Sequence, residues 1–121
     1  MADFAAQGGP LSATVTALAV VQVIDVEGYS RVWLAFTVAA AALSAFQVEA
    51  RGRPGGLASV IAAAAGDYTD PIGPVIGASD DLTTAGVGAH FLMLDVRAYK
   101  EITIKAAGTA SVLAGDWSAT P

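Results

Sequence analysis

From Arg31 to Val38 the chain alternates without a break. Val32, Leu34, Phe36 and Val38 occupy one set of positions, and Arg31, Trp33, Ala35 and Thr37 the other. A period of two sends successive side chains to opposite sides of an extended strand, whereas an amphipathic helix repeats its apolar residues every three or four positions. The alternation returns at 43–51, where Phe46, Val48 and Ala50 interleave with Gln47, Glu49 and Arg51, and again at 100–106 (KEITIKA). Strands with one apolar face need a second layer to cover it, so stacked sheets are the natural solution.

The intervening residues punctuate. GRPGG (52–56), GDYTDP (66–71) and DDLTTAGVGA (80–89) carry the Gly, Pro and Asp of turns and loops. The remaining runs read as strands: 13–24 (ATVTALAVVQVI) as a single strand, then PVIGAS at 74–79 and SVLAGDW at 111–117, while 57–64 (LASVIAAA) fits a strand or one helical turn, the strand being preferred. HFLMLDV (90–96) is almost continuously apolar, as expected of a central strand buried on both faces. The alanine run 39–42 is too short to nucleate a helix. Seven or eight short strands in 121 residues predict an all-β fold, a two-sheet antiparallel β-sandwich of jelly-roll or immunoglobulin-like type. Spacing does not choose between the two. The predicted core contains Val32, Leu34, Phe36, Phe46, Val48, Leu92, Leu94, Ile102 and Ile104. Residues 13–121 form the single domain, and residues 1–12 (MADFAAQGGPLS), with few large apolar side chains, read as an extended N-terminal arm.

One phrase occurs twice: DVEGYSRVWL from Asp25 and DVRAYKEITI from Asp95. In each, Asp-Val ends a strand, a two-residue gap and a Tyr make a corner, and aliphatics open the next strand. Asp accepts turn N–H groups, and a Tyr at a strand start packs its ring on the edge of the core. Asp25, Tyr29, Asp95 and Tyr99 are therefore expected at equivalent structural corners rather than in a paired ligand site.

Chemistry is sparse. With no cysteine there is neither a disulfide framework nor a thiolate nucleophile. His90, the single histidine, shares a face with Leu92 and Leu94 and reads as a core residue. No Gly-x-Ser-x-Gly elbow accompanies it, and GRPGG lacks the Lys-Ser/Thr of a phosphate loop. Asp67, Asp70, Asp80 and Asp81 have no calcium-loop spacing and read as solvated turn residues. The expectation is a protein with no catalytic residue, no cofactor and no metal. Six Lys and Arg against eleven Asp and Glu, a net charge of −5, argue against a nucleic-acid partner. The most apolar run, 32–46, is shorter than a membrane-spanning helix, so no membrane association is expected.

What composition favours is contact with other protein. Charged residues make up 14% of the chain, against roughly 25% in an ordinary soluble domain, and apolar residues 55%. Trp33 lies opposite the core-facing Val32, Leu34 and Phe36, where a monomeric sandwich would show a polar side chain, so it suits a protein interface or a covering loop of its own chain. Arg51 and Arg53 share one turn, which reads first as a solvated hairpin tip and second as an anchor for an acidic neighbour, while Phe4 is the aromatic side chain of the arm. These four are the candidate interface residues.

Cysteine-free β-domains of this Ala/Gly/Thr/Val-rich texture, with phrases such as VEGYSRVWLAFTV, EITIKAAGTAS and LAGDWSA, resemble virion structural proteins of tailed bacteriophages, in particular capsid decoration (cement) proteins. The resemblance runs from about Leu11 to Trp117 and is one of texture, so it transfers no site residue. It implies a non-enzymatic subunit, a homo-oligomer such as a dimer or trimer, bound to the major capsid protein or other virion proteins on the phage head. A tail or neck accessory subunit and a carbohydrate-binding β-module are the alternatives.

Overall fold

The alternating segments become pleated strands. In the computed structural model, which describes residues 7–63, 75–78 and 86–121, nine strands and no helix occur among the described residues. They are β1 (Gln7–Val15), β2 (Ala19–Asp25), β3 (Arg31–Ala39), β4 (Leu43–Arg51), β5 (Ala58–Ala63), β6 (Val75–Ala78), β7 (Gly88–Asp95), β8 (Glu101–Gly108) and β9 (Ser111–Thr120). The first sheet has the order β1-β9-β3-β7-β6 and the second β2-β8-β4-β5. Every pairing is antiparallel. Leaving β6 aside, 1-9-3-7 against 2-8-4-5 is the interleaved order of a jelly roll, in which β1 through β4 change sheet at every step. Of the two predicted topologies, the jelly roll is the one that forms.

The core lies between the sheets. All nine predicted core side chains are at most 3% exposed. Phe36 of the first sheet stacks on Phe46 of the second, with ring centroids 5.2 Å apart, and so ties the layers together. Leu11, Val15, Ile24 and Leu113 complete the same cluster.

Three expectations are corrected. Residues 13–24 are not one strand: β1 ends at Val15, and after Thr16, Ala17 and Leu18 the chain resumes as β2 in the other sheet. A Val/Thr run without Gly or Pro hides this step, which is fixed from outside when the Gly108 N–H donates to the Thr16 carbonyl at 3.1 Å. Residues 7–12 are no free arm, since they pair with β9 from Gln7 opposite Ala119 to Ser12 opposite Ala114, and Leu11 is buried. Small residues make this possible: a Cβ at Gly9 would stand 3.0 Å from the Trp117 indole nitrogen, so the strand lies directly against that ring. The rest of the expected arm, with Phe4, lies outside the described residues. Finally, β7 is buried on one face only, with His90, Leu92 and Leu94 inside but Phe91 exposed and Met93 half-buried.

The doubled phrase forms two matching corners. Each Asp accepts the N–H two residues on, Asp25 from Glu27 at 3.0 Å and Asp95 from Arg97 at 3.1 Å. Each Tyr N–H closes a turn onto the Val that follows the Asp, Tyr29 to Val26 and Tyr99 to Val96, both at 3.0 Å. Gly28 holds φ 88° at the third position of the first turn, and Ala98 stands at that position in the second, so the two turns differ in type. Both tyrosine rings are half-buried against the core, less enclosed than a full core residue.

The corners also interlock. The Val26 N–H donates to the Lys100 carbonyl and the Val96 N–H to the Ser30 carbonyl, each at 2.9 Å. Asp25 faces Glu101 across β2 and β8, just as Asp95 faces Arg31 across β7 and β3. The equivalence reaches far beyond ten residues: β2-β3-β4 and β7-β8-β9 follow the same path with the sheets exchanged, an approximate two-fold relation. Ala40 (φ 69°) and Ala110 (φ 58°) sit in the left-handed region at matching sheet-crossing turns. That conformation costs an L-residue roughly 1–2 kcal/mol, which glycine avoids while losing more entropy on folding. Ala110→Gly is therefore expected to raise the unfolding free energy by about 0.5–1 kcal/mol. A destabilisation measured in urea would contradict the left-handed assignment.

Candidate functional site

The inner faces are occupied by core, and the outer ones differ sharply. On the second sheet the outward residues of β4 and β8 form a charged lattice. Arg51 donates from Nη1 to Thr103 Oγ1 at 2.8 Å and lies 3.6 Å from the Glu101 carboxylate and 3.8 Å from that of Glu49. Lys105 Nζ meets Glu49 at 2.9 Å, and Gln47 donates to the same carboxylate at 2.9 Å. Glu49 is 8% exposed, and its pKa is lowered, first by the Lys105 hydrogen bond, with burial opposing. Arg51 also donates from Nε to the Gly56 carbonyl at 3.1 Å, pinning the turn that follows β4. Arg53 is exposed on that turn, so the two arginines serve different surroundings: Arg51 is held within the chain and Arg53 faces solvent.

The outer face of the first sheet is apolar at its centre. Trp33 on β3 is 38% exposed and stacks on Phe91 of β7, with centroids 5.3 Å apart and planes 14° from parallel. Met93 lies across from Trp33, and Ala35 across from Phe91. Phe91 is the residue that sequence reasoning missed, because β7 was read as buried on both sides. Its position between His90 and Leu92, both inside, was the available signal.

At the corners, Arg97 grips Asp95 in a fork, from Nη2 at 2.6 Å and from Nε at 3.0 Å. Lys100 of one corner meets Glu27 of the other at 3.0 Å. The Arg97 hydrogen bond holds the Asp95 carboxyl at about 2, below its ordinary 3.8. A depressed carboxyl stabilises the fold above its unfolded value and loses that contribution as pH falls from about 3.8 towards about 2. In an NMR titration, Arg97→Ala is expected to return the Asp95 midpoint towards 3.8. An unmoved midpoint would remove Arg97 as the cause.

His90 is buried beside Phe36, with centroids 5.6 Å apart, and its Nε2–H donates to the Gly86 carbonyl. Among the described residues no group of three or more His, Asp or Glu could hold a metal ion, and Asp67, Asp70, Asp80 and Asp81 lie outside them. No helix among the described residues is long and apolar enough to cross a membrane.

No described protein family matches the chain, and no curated protein matches it in sequence. Among solved structures it is similar to the SPBc2 prophage-derived protein YomS, with a TM-score of 0.55 over 99% of each chain. What they share is the fold. At 5% identity no side chain carries over, yet the likeness spans the sandwich from end to end.

Proposed function

We propose that this chain is a non-enzymatic structural subunit of a phage virion, and specifically a decoration subunit that binds and stabilises the head through contacts with the major capsid protein. The observation that carries the reading is the aromatic pair Trp33–Phe91 on the outer face of a sheet, in a chain with little charge elsewhere. Apolar aromatics at the centre and charges at the rim are the composition of a protein interface. The end-to-end fold likeness to a prophage-derived protein supports a phage setting. Charged side chains that pair within the chain, as Arg51, Glu49, Glu101 and Lys105 do, suit a scaffold rather than a reaction centre.

Quantitative mass spectrometry of purified particles tests the proposal. A head decoration subunit should appear in a copy number comparable to that of the major capsid protein. A copy number fixed at a small ring would assign the chain to the tail or neck. Absence from particles would end the virion reading.

A further inference from the structure

We infer that two copies of this chain pair face to face through the outer surface of the β1-β9-β3-β7-β6 sheet, with Trp33 at the centre of the contact. The inference rests on the reading of the chain as an assembly subunit and names the partner of its aromatic face. The approximate two-fold relation inside the chain supplies an internal control. Positions 33 and 35 on β3 correspond to 103 and 105 on β8, because Arg31 faces Asp95 as Glu101 faces Asp25. On the second sheet those positions hold Thr103 and Lys105, both engaged by the charged lattice. On the first they hold Trp33 and Ala35. One backbone plan accepts either surface, so the fold does not require an outward tryptophan.

Two sheet edges and the other outer face are obstructed as routes to self-association. The free edge of β2 has two carbonyls occupied by side-chain amides: Gln22 Nε2 donates to Val23 at 3.0 Å and Gln7 Nε2 to Asp25 at 3.3 Å. Its pairing is further broken by a bulge between Val20 and Gln22. The β1 edge carries Pro10, which has no N–H to lend a further strand. The outer face of the second sheet has its charges matched within the chain, and covering it would desolvate four of them.

The remaining face fits a second copy in size and charge. The five strands, of 9, 10, 9, 8 and 4 residues, give at about 3.3 Å per residue and about 4.8 Å spacing a face on the order of 600 Å², somewhat below the roughly 800 Å² per partner of a standard interface. Around Trp33 and Phe91 lie Ala35, Met93 and Ser118, all uncharged, with Asp116 next along β9 and the uncharged Ala114 and Val112 beyond it. Arg31, Asp95 and Asp116 stand on the same face, with Asp95 paired to Arg97, so Arg31 of one copy can meet Asp116 of the other as like faces approach. Two twisted sheets stacking at about 10 Å is also how this protein builds its own interior.

The absence of cysteine makes the test direct. The full chain should sediment at twice its 12.1 kDa mass at high concentration and dissociate on dilution. Trp33→Lys should weaken the dimer at least about tenfold, because central tryptophans carry much of an interface's energy. Its β circular dichroism and unfolding midpoint should stay close to those of the parent. Ser118→Cys, on this face, should form a disulfide-linked dimer under mild oxidation, whereas Val23→Cys, on the outer face of the second sheet, should not. A chain that stays monomeric, a dimer that survives Trp33→Lys, or crosslinking through Val23→Cys alone would overturn the inference. If a monomeric chain enters particles and Trp33→Lys does not, the face belongs to the shell protein and pairing alone fails. If the dimer forms but particles lack the chain, the virion reading fails and the pairing stands.

Discussion

Replacing Gly115 by alanine is expected to cost about 3 kcal/mol or more and to lower the thermal midpoint by on the order of 10 °C. Gly115 lies in β9 between two strands, opposite Leu11 on β1 and Phe36 on β3. A Cβ there would overlap the Ala35 carbonyl oxygen and stand 2.5 Å from the Phe36 Cα and 2.8 Å from its Cβ. Those are mainly backbone atoms, which no rotamer change can move aside, so β9 and β3 would have to separate. That pairing holds Phe36 in its stack on Phe46, and loosening it reaches the contact between the sheets. Gly52→Ala is the control, because nothing lies within 4 Å of a Cβ at that position. Urea unfolding of both variants decides the matter. A loss below about 0.5 kcal/mol for Gly115→Ala would mean that Phe36 and Gly115 are not neighbours.

Ile104→Ala should cost roughly 2–5 kcal/mol, the range for deleting a fully enclosed aliphatic side chain and leaving a cavity. Ile104 is 0% exposed and faces Val48 on β4 and Gln22 on β2. Its neighbour Lys105 points the other way and holds Glu49 at 2.9 Å. Lys105→Ala should therefore cost no more than about 1 kcal/mol, as partly exposed ion pairs contribute little. The two measurements read one strand's two faces. If the lysine variant proved the more damaging, the inside and outside of β8 would be exchanged, and with them the assignment of the charged lattice to the outer surface.

The four-residue helical temptation at 39–42 shows how local and non-local forces divide in this chain. Alanine favours helix, yet Ala40 adopts a left-handed φ of 69° because the strands on either side belong to different sheets and must be joined quickly. Nothing in four alanines announces that turn. The same limit hid the break at Thr16, where a Val/Thr run passes from one sheet to the other without a glycine or proline. It also concealed the membership of residues 7–12 in a sheet, since a strand of small residues earns its place from a neighbour's backbone rather than from its own side chains.

Arg51 and Trp33 divide the candidate site in a similar way. That Trp33 points away from the core was legible, because β3 alternates strictly and a pleat must send alternate residues outwards. That it stacks on Phe91, fifty-eight positions later in the chain, required the antiparallel register of β3 with β7. That Arg51 lies beside a turn was equally legible; that Glu49, Glu101 and Thr103 hold it there was not, since β8 had first to be laid against β4. By itself the sequence determined what depends on a few consecutive residues: the alternating strands β3, β4 and β8 with their inner and outer faces, the nine core side chains, and the Asp-Val-x-x-Tyr corners with their Asp-to-N–H hydrogen bonds. Tertiary structure decided what depends on pairing between distant segments: the jelly-roll order, the sheet-exchanging equivalence of the two halves, and the division of the outer surface into a charged face and an aromatic one. Alternation fixes which side of a strand is apolar but not which strand lies beside it, because every strand offers the same backbone ladder to any partner.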